Sequence, residues 1–241
     1  MSNTTNQFGQ PIGDPLPSWT PRPRPPRTPM EGRLTRVEPL DPAQHEKDLF
    51  EAYAADPQGK TWTYMAWGPF ADQPTLRRWL EERAEIDDPL MFAIIDRKTG
   101  QASGVATFMR IDPPAGVIEV GGIAFAPRLQ RSIVATEAMY LMMKRAFDEL
   151  GYRRYEWKCD SLNQPSRDAA KRFGFRYEGT FSQATIYKGR NRDTAWFSIT
   201  DGEWPKVRAA METWLVPDNF DGAGRQIKSL SQLTATLSTP R

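Results

Sequence analysis

Between residues 33 and 215 the spacing of hydrophobic positions switches between a period of two and a period near 3.6, and each switch marks a change of element. RLTRVEPL (33–40) alternates as a short strand. AQHEKDLFEAYA (43–54) and DQPTLRRWLEERAEI (72–86) have helical spacing, the second opened by Asp72 as N-cap with Pro74 in the first turn. Three strand runs follow directly: LMFAIID (90–96) before the turn RKTGQ, SGVATFMRID (103–112) before PPAG, and VIEVGGIAF (117–125) before Pro127. From Ile133 the period becomes helical. Ala135, Met139, Met142, Met143, Ala146, Phe147 and Leu150 share one broad face, which Gly151 is placed to end. Methionines at that spacing are expected in the core, a partner surface being their other use.

The second half alternates again. YRRYEWKCD (152–160) reads as a strand, QPSRDAAKRF (164–173) as a short helix stopped by Gly174, and FRYEGTFS (175–182) and DTAWFSIT (193–200) as strands. EWPKVRAAMETWL (203–215) closes the series with Trp204, Val207, Met211 and Trp214 on one helical face. The order β-α-α-β-β-β-α-β-α-β-β-α predicts a mixed α/β domain. Successive strands give antiparallel hairpins and strand–helix–strand units give a crossover, so helices cover both faces of one central sheet of about seven strands.

Outside this series the composition changes. Eight of the 21 prolines fall in residues 1–30, and PLPSWTPRPRPPRTP lacks the backbone donors for a helix or a central strand. It is expected to be an extended arm, either a spacer packed on its own domain or a polyproline ligand for an aromatic groove. Residues 216–241 are polar and rich in Gly, Ser and Thr and read as a second tail, which leaves 31–215 as the domain. Arg22, Arg24 and Arg27 against Asp14 account for the whole formal charge of +2. The body is therefore balanced and offers no basic surface for nucleic acid. Only one cysteine is present, Cys159, and no apolar run approaches a membrane span, so a chain of the reducing cytoplasm that neither spans a membrane nor starts with a signal peptide is expected. His45 has no second His or Cys pair nearby, excludes an obvious zinc site, and reads as an ordinary surface or helix residue.

Two segments carry chemistry. In VIEVGGIAFAPRLQRSIVATEA a strand ends at Pro127 and a helix opens near Ser132, which gathers free helix N–H groups, the positive end of a dipole and the guanidinium groups of Arg128 and Arg131. Such a turn suits a phosphate, although most turns of this shape bind nothing. In CDSLNQPSRDAAKRFGFRYEGTF, Asn163 follows a strand and Ser166 lies in the first turn of the next helix. Alone, both read as helix-cap residues.

Together the segments resemble the GNAT superfamily of acyl-CoA-dependent N-acetyltransferases, in particular its RimJ/RimL-like branch of ribosomal-protein N-terminal acetyltransferases. The resemblance runs from about Arg33 to Thr200 and rests on Gln130, Ala135-Thr136-Glu137-Ala138, Asn163, Ser166, Gly174-Phe175 and Glu178-Gly179. It implies a GNAT-like sheet splayed in the middle, acetyl-CoA as donor, a primary amine as acceptor, no metal, and the dimers frequent in that family. It assigns Ile123, Phe125, Arg128, Gln130, Arg131, Ser132, Ile133, Ala135, Thr136 and Asn163 to the donor, with amides of Ile123 or Phe125 near a splay at Gly121-Gly122. Ser166 takes the proton-donor role, because Ala170 stands where many members have tyrosine. Arg131 and Ile133 replace the family's two loop glycines. Either Arg131 keeps a negative φ and adds charge to the phosphate, or donor binding has weakened and the chain is a CoA-binding sensor or interaction module.

The base for the amine has to be a carboxylate. Glu119 is the one acid in VIEVGGIAF, where alternation places it on a face with Val117, Gly121 and Ile123. It is either a desolvated base or an acid paired with Arg110. Asp160 and Asp168 are weaker candidates, ending a strand and capping a helix. Cys159 reads as a small core residue rather than an acyl carrier. Tyr64, Trp67 and Tyr187 either wall the acceptor cleft or pack onto the core.

Overall fold

The computed structural model describes residues 4–235. Its centre is an open eight-stranded sheet in the order β1-β2-β3-β4-β5-β6-β8-β7. β1 (Met30–Glu31) and β2 (Thr35–Pro39) lead into α1 (Pro42–Ala54) and α2 (Gln73–Ala84), and β3 (Leu90–Asp96), β4 (Gln101–Asp112) and β5 (Val117–Phe125) form a meander. α3 (Ile133–Lys144), continued by a π-helical turn over Arg145–Glu149, crosses over to β6 (Arg154–Asp160). α4 (Gln164–Arg172), β7 (Arg176–Tyr187), β8 (Arg190–Thr200), α5 (Trp204–Leu215) and α6 (Leu230–Thr234) complete the order. β5 and β6 are the parallel pair and the other neighbours are antiparallel. A parallel neighbour requires a long crossover, which α3 supplies.

All the α-helices but α5 start where a side chain closes an orphan amide. Asp41 accepts from the amides of Ala43 and Gln44 ahead of α1, Asp72 from that of Thr75 ahead of α2, and Ser132 from that of Ala135 ahead of α3. One face of the sheet packs on α3, α4 and α5 through Phe92, Phe108, Tyr155, Phe197 and the methionines 139, 142 and 143, all fully or almost fully buried. The opposite face packs on α1 and α2 through Leu49, Leu76, Leu80, Met91 and Val105, over β3 and β4. Toward β6 that face carries polar groups, among them Glu119, Glu156 and Lys158.

Strict alternation fails once in β5. Thr107 pairs with Gly121 whereas Val105 pairs with Ala124, so β5 carries one extra residue, with Gly122 at φ 55°. The bulge turns Ile123 to the side of Ile118 and Val120, away from the face expected for it with Glu119.

Both flanks pack on the domain. Trp19 donates from Nε1 to the carbonyl of Pro114 (2.8 Å) between the guanidinium groups of Arg22 and Arg153, and Arg27 donates to the carbonyls of Ala84 and Ile86. The arm is thus a strap, and its arginines are engaged. The polar stretch after Leu215 hides Leu230, fully buried where α6 meets α4 and α5. His45, expected at the surface or as a plain helix residue, is buried in α1. Its Nε2 donates to Glu38 (2.8 Å) because its Nδ1 already accepts from the amide of Asp41.

Candidate active site

β5 and β6 pair from Val117 opposite Arg154 as far as Val120 opposite Trp157, and there the pairing ends. Beyond that point β5 stays on β4 as far as Phe125, and β6 stays on β8 as far as Asp160. The two strands therefore part at Gly121 and Lys158. The edge of β5 over Gly121–Phe125 that faces β6 has no strand partner, which is the splay expected at Gly121-Gly122. α3 starts at one lip and α4 at the other.

The turn into α3 is tight. The amides of Leu129 and Gln130 donate to the carbonyl of Ala126, and that of Ser132 to the carbonyl of Leu129. Arg131 sits between them at φ 59°, so the expectation of a negative φ is overturned. The chain keeps the backbone path a glycine would take, at a cost of about 1–2 kcal/mol, and leaves the guanidinium exposed. The amides of Arg131, Ile133 and Val134 have no hydrogen-bond partner among the described residues. Free N–H groups at a helix start fit a diphosphate. Arg128, expected beside Arg131, is turned away. Its Nε donates to Ser103 Oγ (2.8 Å) and its Nη2 to the carbonyl of Ala102 (2.8 Å), so it anchors the turn to β4. Gln130 donates to the carbonyl of Phe125 (2.9 Å) and holds the end of β5. Ala135 is buried beneath the first turn, and Thr136 accepts from Arg172 of α4 (3.2 Å), a link between the two lips that the sequence reading missed. Glu137 accepts the amides of Arg33, Leu34 and Thr35, so this motif residue fixes the start of β2.

At the other lip, Asn163 caps α4 by accepting from the amide of Ser166 (3.2 Å). Ser166 Oγ accepts from Trp157 Nε1 (3.0 Å), so its hydroxyl acts as a donor, with the Cys159 sulfur beside it. Cys159 lies beside it in the core, its thiol pushed up chiefly by burial.

Glu119 is 2% exposed and is not a lone acid. Its Oε2 accepts from Arg110 Nη1 (2.7 Å), the pairing weighed in the sequence, and from Lys158 Nζ (2.9 Å), which was not foreseen. Lys158 also meets Glu156 (2.7 Å). The cluster is charge-compensated, which is how carboxylates persist inside a sheet. The missed residues did leave a signal: Arg154, Glu156, Lys158 and Asp160 alternate with Tyr155, Trp157 and Cys159, placing four charges on one face of the strand.

On that face the segment between α1 and α2 meets the β7–β8 hairpin. Lys188 donates to the carbonyls of Trp62 (3.0 Å) and Gly68 (2.9 Å). Tyr64 donates to the carbonyl of Leu162 (3.2 Å) and Tyr187 to the buried Asp160 (2.9 Å), so both tyrosines stand at the mouth of the split. Burial and the Asp160 carboxylate push the Tyr187 hydroxyl up to about 12. Trp67 is instead packed between Trp62 (5.3 Å) and Trp79 (4.3 Å), in an aromatic cluster that stiffens the segment. A cavity lined by Glu38, His45 and Glu85 lies away from the split. Among the described residues no cluster of three His, Cys, Asp or Glu could hold a metal, and no helix is long and apolar enough to cross a membrane.

An open mixed sheet parted between two parallel strands, with one helix starting at each lip, is the architecture of the GNAT fold. The profile of the acetyltransferase (GNAT) domain matches residues 35–176, and the chain belongs to this family; it is an N-acetyltransferase that uses an acyl-CoA donor. A GCN5-related N-acetyltransferase from Brucella melitensis is 48% identical with a TM-score of 0.89, covering 91% of this chain and 100% of that one. A probable acetyltransferase of the GNAT family from Chromobacterium violaceum is 39% identical with a TM-score of 0.75, covering 81% and 98%. RimL, a ribosomal L7/L12 alpha-N-protein acetyltransferase in complex with coenzyme A, shares the fold at 18% identity and a TM-score of 0.61, over 71% of this chain and 97% of that one.

Proposed function

We propose that the protein transfers an acetyl group from acetyl-CoA to a primary amine, a protein N-terminus or a small amine, by direct attack of the amine. The observation that carries this reading is the split between Gly121 and Lys158, flanked by the unpartnered amides of Arg131, Ile133 and Val134. Those amides and the Arg131 guanidinium hold the diphosphate of the donor. Bound there, the donor supplies an activated acyl carbonyl. The free edge of β5 at Ile123 and Phe125 presents backbone N–H groups to the acyl oxygen, where they stabilise developing negative charge. Glu119 receives the ammonium proton of the acceptor through water, the amine nitrogen bonds the acyl carbon as the C–S bond breaks, Ser166 gives its proton to the departing sulfur, and the second proton shed by the new amide nitrogen restores the Ser166 hydroxyl. Tyr64, Tyr187 and Asp160 line the path of the acceptor. A protein N-terminus is the class of acceptor on which RimL acts.

Calorimetric titration with acetyl-CoA, followed by thiol release in the presence of peptides and small amines, tests the proposal. Donor binding together with thiol release for at least one acceptor is expected. Binding with no release across the panel would overturn the catalytic part, and no binding would overturn the donor site.

A further inference from the structure

We infer that Lys158 is the positioning residue of this site: it staples the two parting strands at the vertex of the split and fixes which oxygen of Glu119 is left to work. The inference rests on the reading of Glu119 as base.

Lys158 is the first residue of β6 past the last parallel pair, whereas Glu119 precedes the same boundary on β5. Where the backbone ladder stops, the contact of Nζ with Glu119 Oε2 (2.9 Å) takes its place as the link between the strands. The lysine is itself held. Its second carboxylate is Glu156 (2.7 Å), and the Trp196 ring lies 3.7 Å from Nζ, so the ammonium sits among two anions and an aromatic face. Its side chain is 6% exposed, while that of Arg110, the other cation on Glu119, is 57% exposed. Solvent screens the arginine and not the lysine, so Lys158 makes the stronger contribution.

Both cations meet Oε2. Oε1 turns along β5 to Gly121, 3.3 Å from the place a Cβ would occupy there. That is the first residue of the splayed edge. Lys158 thereby holds the carboxylate in one rotamer, with Oε1 toward the split and charge compensated on its far side.

The test combines Lys158→Met, Lys158→Arg and Glu119→Gln in the full chain, with steady-state kinetics, acetyl-CoA calorimetry and a pH profile. Lys158→Met is expected to lower kcat by about 30-fold or more, within the range of lost acid–base catalysis. Donor affinity should stay within about threefold of wild type, because the amides at α3 are untouched. The acidic limb of the kcat/KM profile should move about one pH unit or more to higher pH, as follows from removing a cation in contact with a working carboxylate. Lys158→Arg should restore most of kcat and of the profile. In the Glu119→Gln background, Lys158→Met should add nothing further.

An unchanged kcat and profile in Lys158→Met would overturn the inference. So would an equal loss in the Glu119→Gln background, which would leave Glu119 as base and place Lys158 in another role. Full activity of Glu119→Gln alone would remove the base reading itself. If Lys158→Met fails to fold, Lys158→Gln replaces it with the same expectations.

Discussion

The two halves of the β5–β6 pair are made of neighbouring residues and behave differently. Over Val117–Val120 the strands are joined by a parallel ladder, and Ile118, Val120, Tyr155 and Trp157 send their side chains into the core beneath α3 and α5. Over Gly121–Phe125 and Lys158–Asp160 the ladder is gone, and ionic and hydroxyl contacts replace apolar packing on the face that matters. The joined half supplies stability and the parted half supplies exposed backbone and charge. A site of this kind is made by ending a regular structure early, at a bulge, rather than by adding a pocket to it.

Mutations at matched positions separate the halves. In the joined half, Tyr155→Ala is expected to cost about 3–5 kcal/mol of unfolding free energy, measured by urea denaturation, with donor affinity little changed in the folded fraction. The companion Tyr155→Phe should be neutral or slightly stabilising, since the buried Tyr155 hydroxyl has no hydrogen-bond partner. Glu119 lies inside the joined stretch but its carboxylate serves the split through Lys158, and Glu119→Gln is expected to lower kcat by about 10²–10³ with acetyl-CoA affinity nearly constant in calorimetry. Equal losses of stability in both halves would erase the distinction.

At the lip, Arg131→Gly should relieve the left-handed strain and change stability by no more than about 1 kcal/mol. It should also weaken acetyl-CoA binding several-fold at low salt and flatten its salt dependence, as calorimetry at two ionic strengths would show. Unchanged affinity would remove the guanidinium from the donor site. The smallest effect is expected at Glu178, whose carboxyl is held below the ordinary glutamate value of 4.5 first by Arg154 and then by Ser198. Because the folded value is depressed, the contribution is present above that pH and lost as pH falls through the folded value. Wild type should therefore exceed Glu178→Gln in urea denaturation at pH 7, by under about 1 kcal/mol for a partly exposed pair, and the gap should narrow progressively as pH falls below 4.5.

Much of the fold was legible because local signals agreed. LMFAIID and VIEVGGIAF become β3 and β5 without a residue of error, and Asp72 caps α2 as its position predicts. The tips of β7 and β8 were missed because residues 183–192 are polar and exposed, so no buried face imposes a period on them. α6 escaped because a single buried leucine in a polar stretch has no periodicity to announce it. In the site, the acid was legible and its setting was not. Glu119 stood out in an apolar strand, but Lys158 reaches it through a pairing register between strands far apart in the chain, and register is a tertiary fact. Likewise Arg128 and Arg131 are three residues apart and looked equivalent. One is consumed by Ser103 and Ala102 while the other is left outward by a positive φ.

The strap formed by residues 19–29 has a consequence for biosynthesis. Pro23 receives the Tyr152 hydroxyl across 129 positions, and Thr28 receives Arg145 across 117. These residues leave the ribosome long before their partners exist, so these two contacts close long loops and carry the entropic cost of doing so. In the interval, a proline-rich stretch that cannot enter helices or central strands stays out of competing structure, and its contacts with Arg145 and Tyr152 form only once those residues are in place.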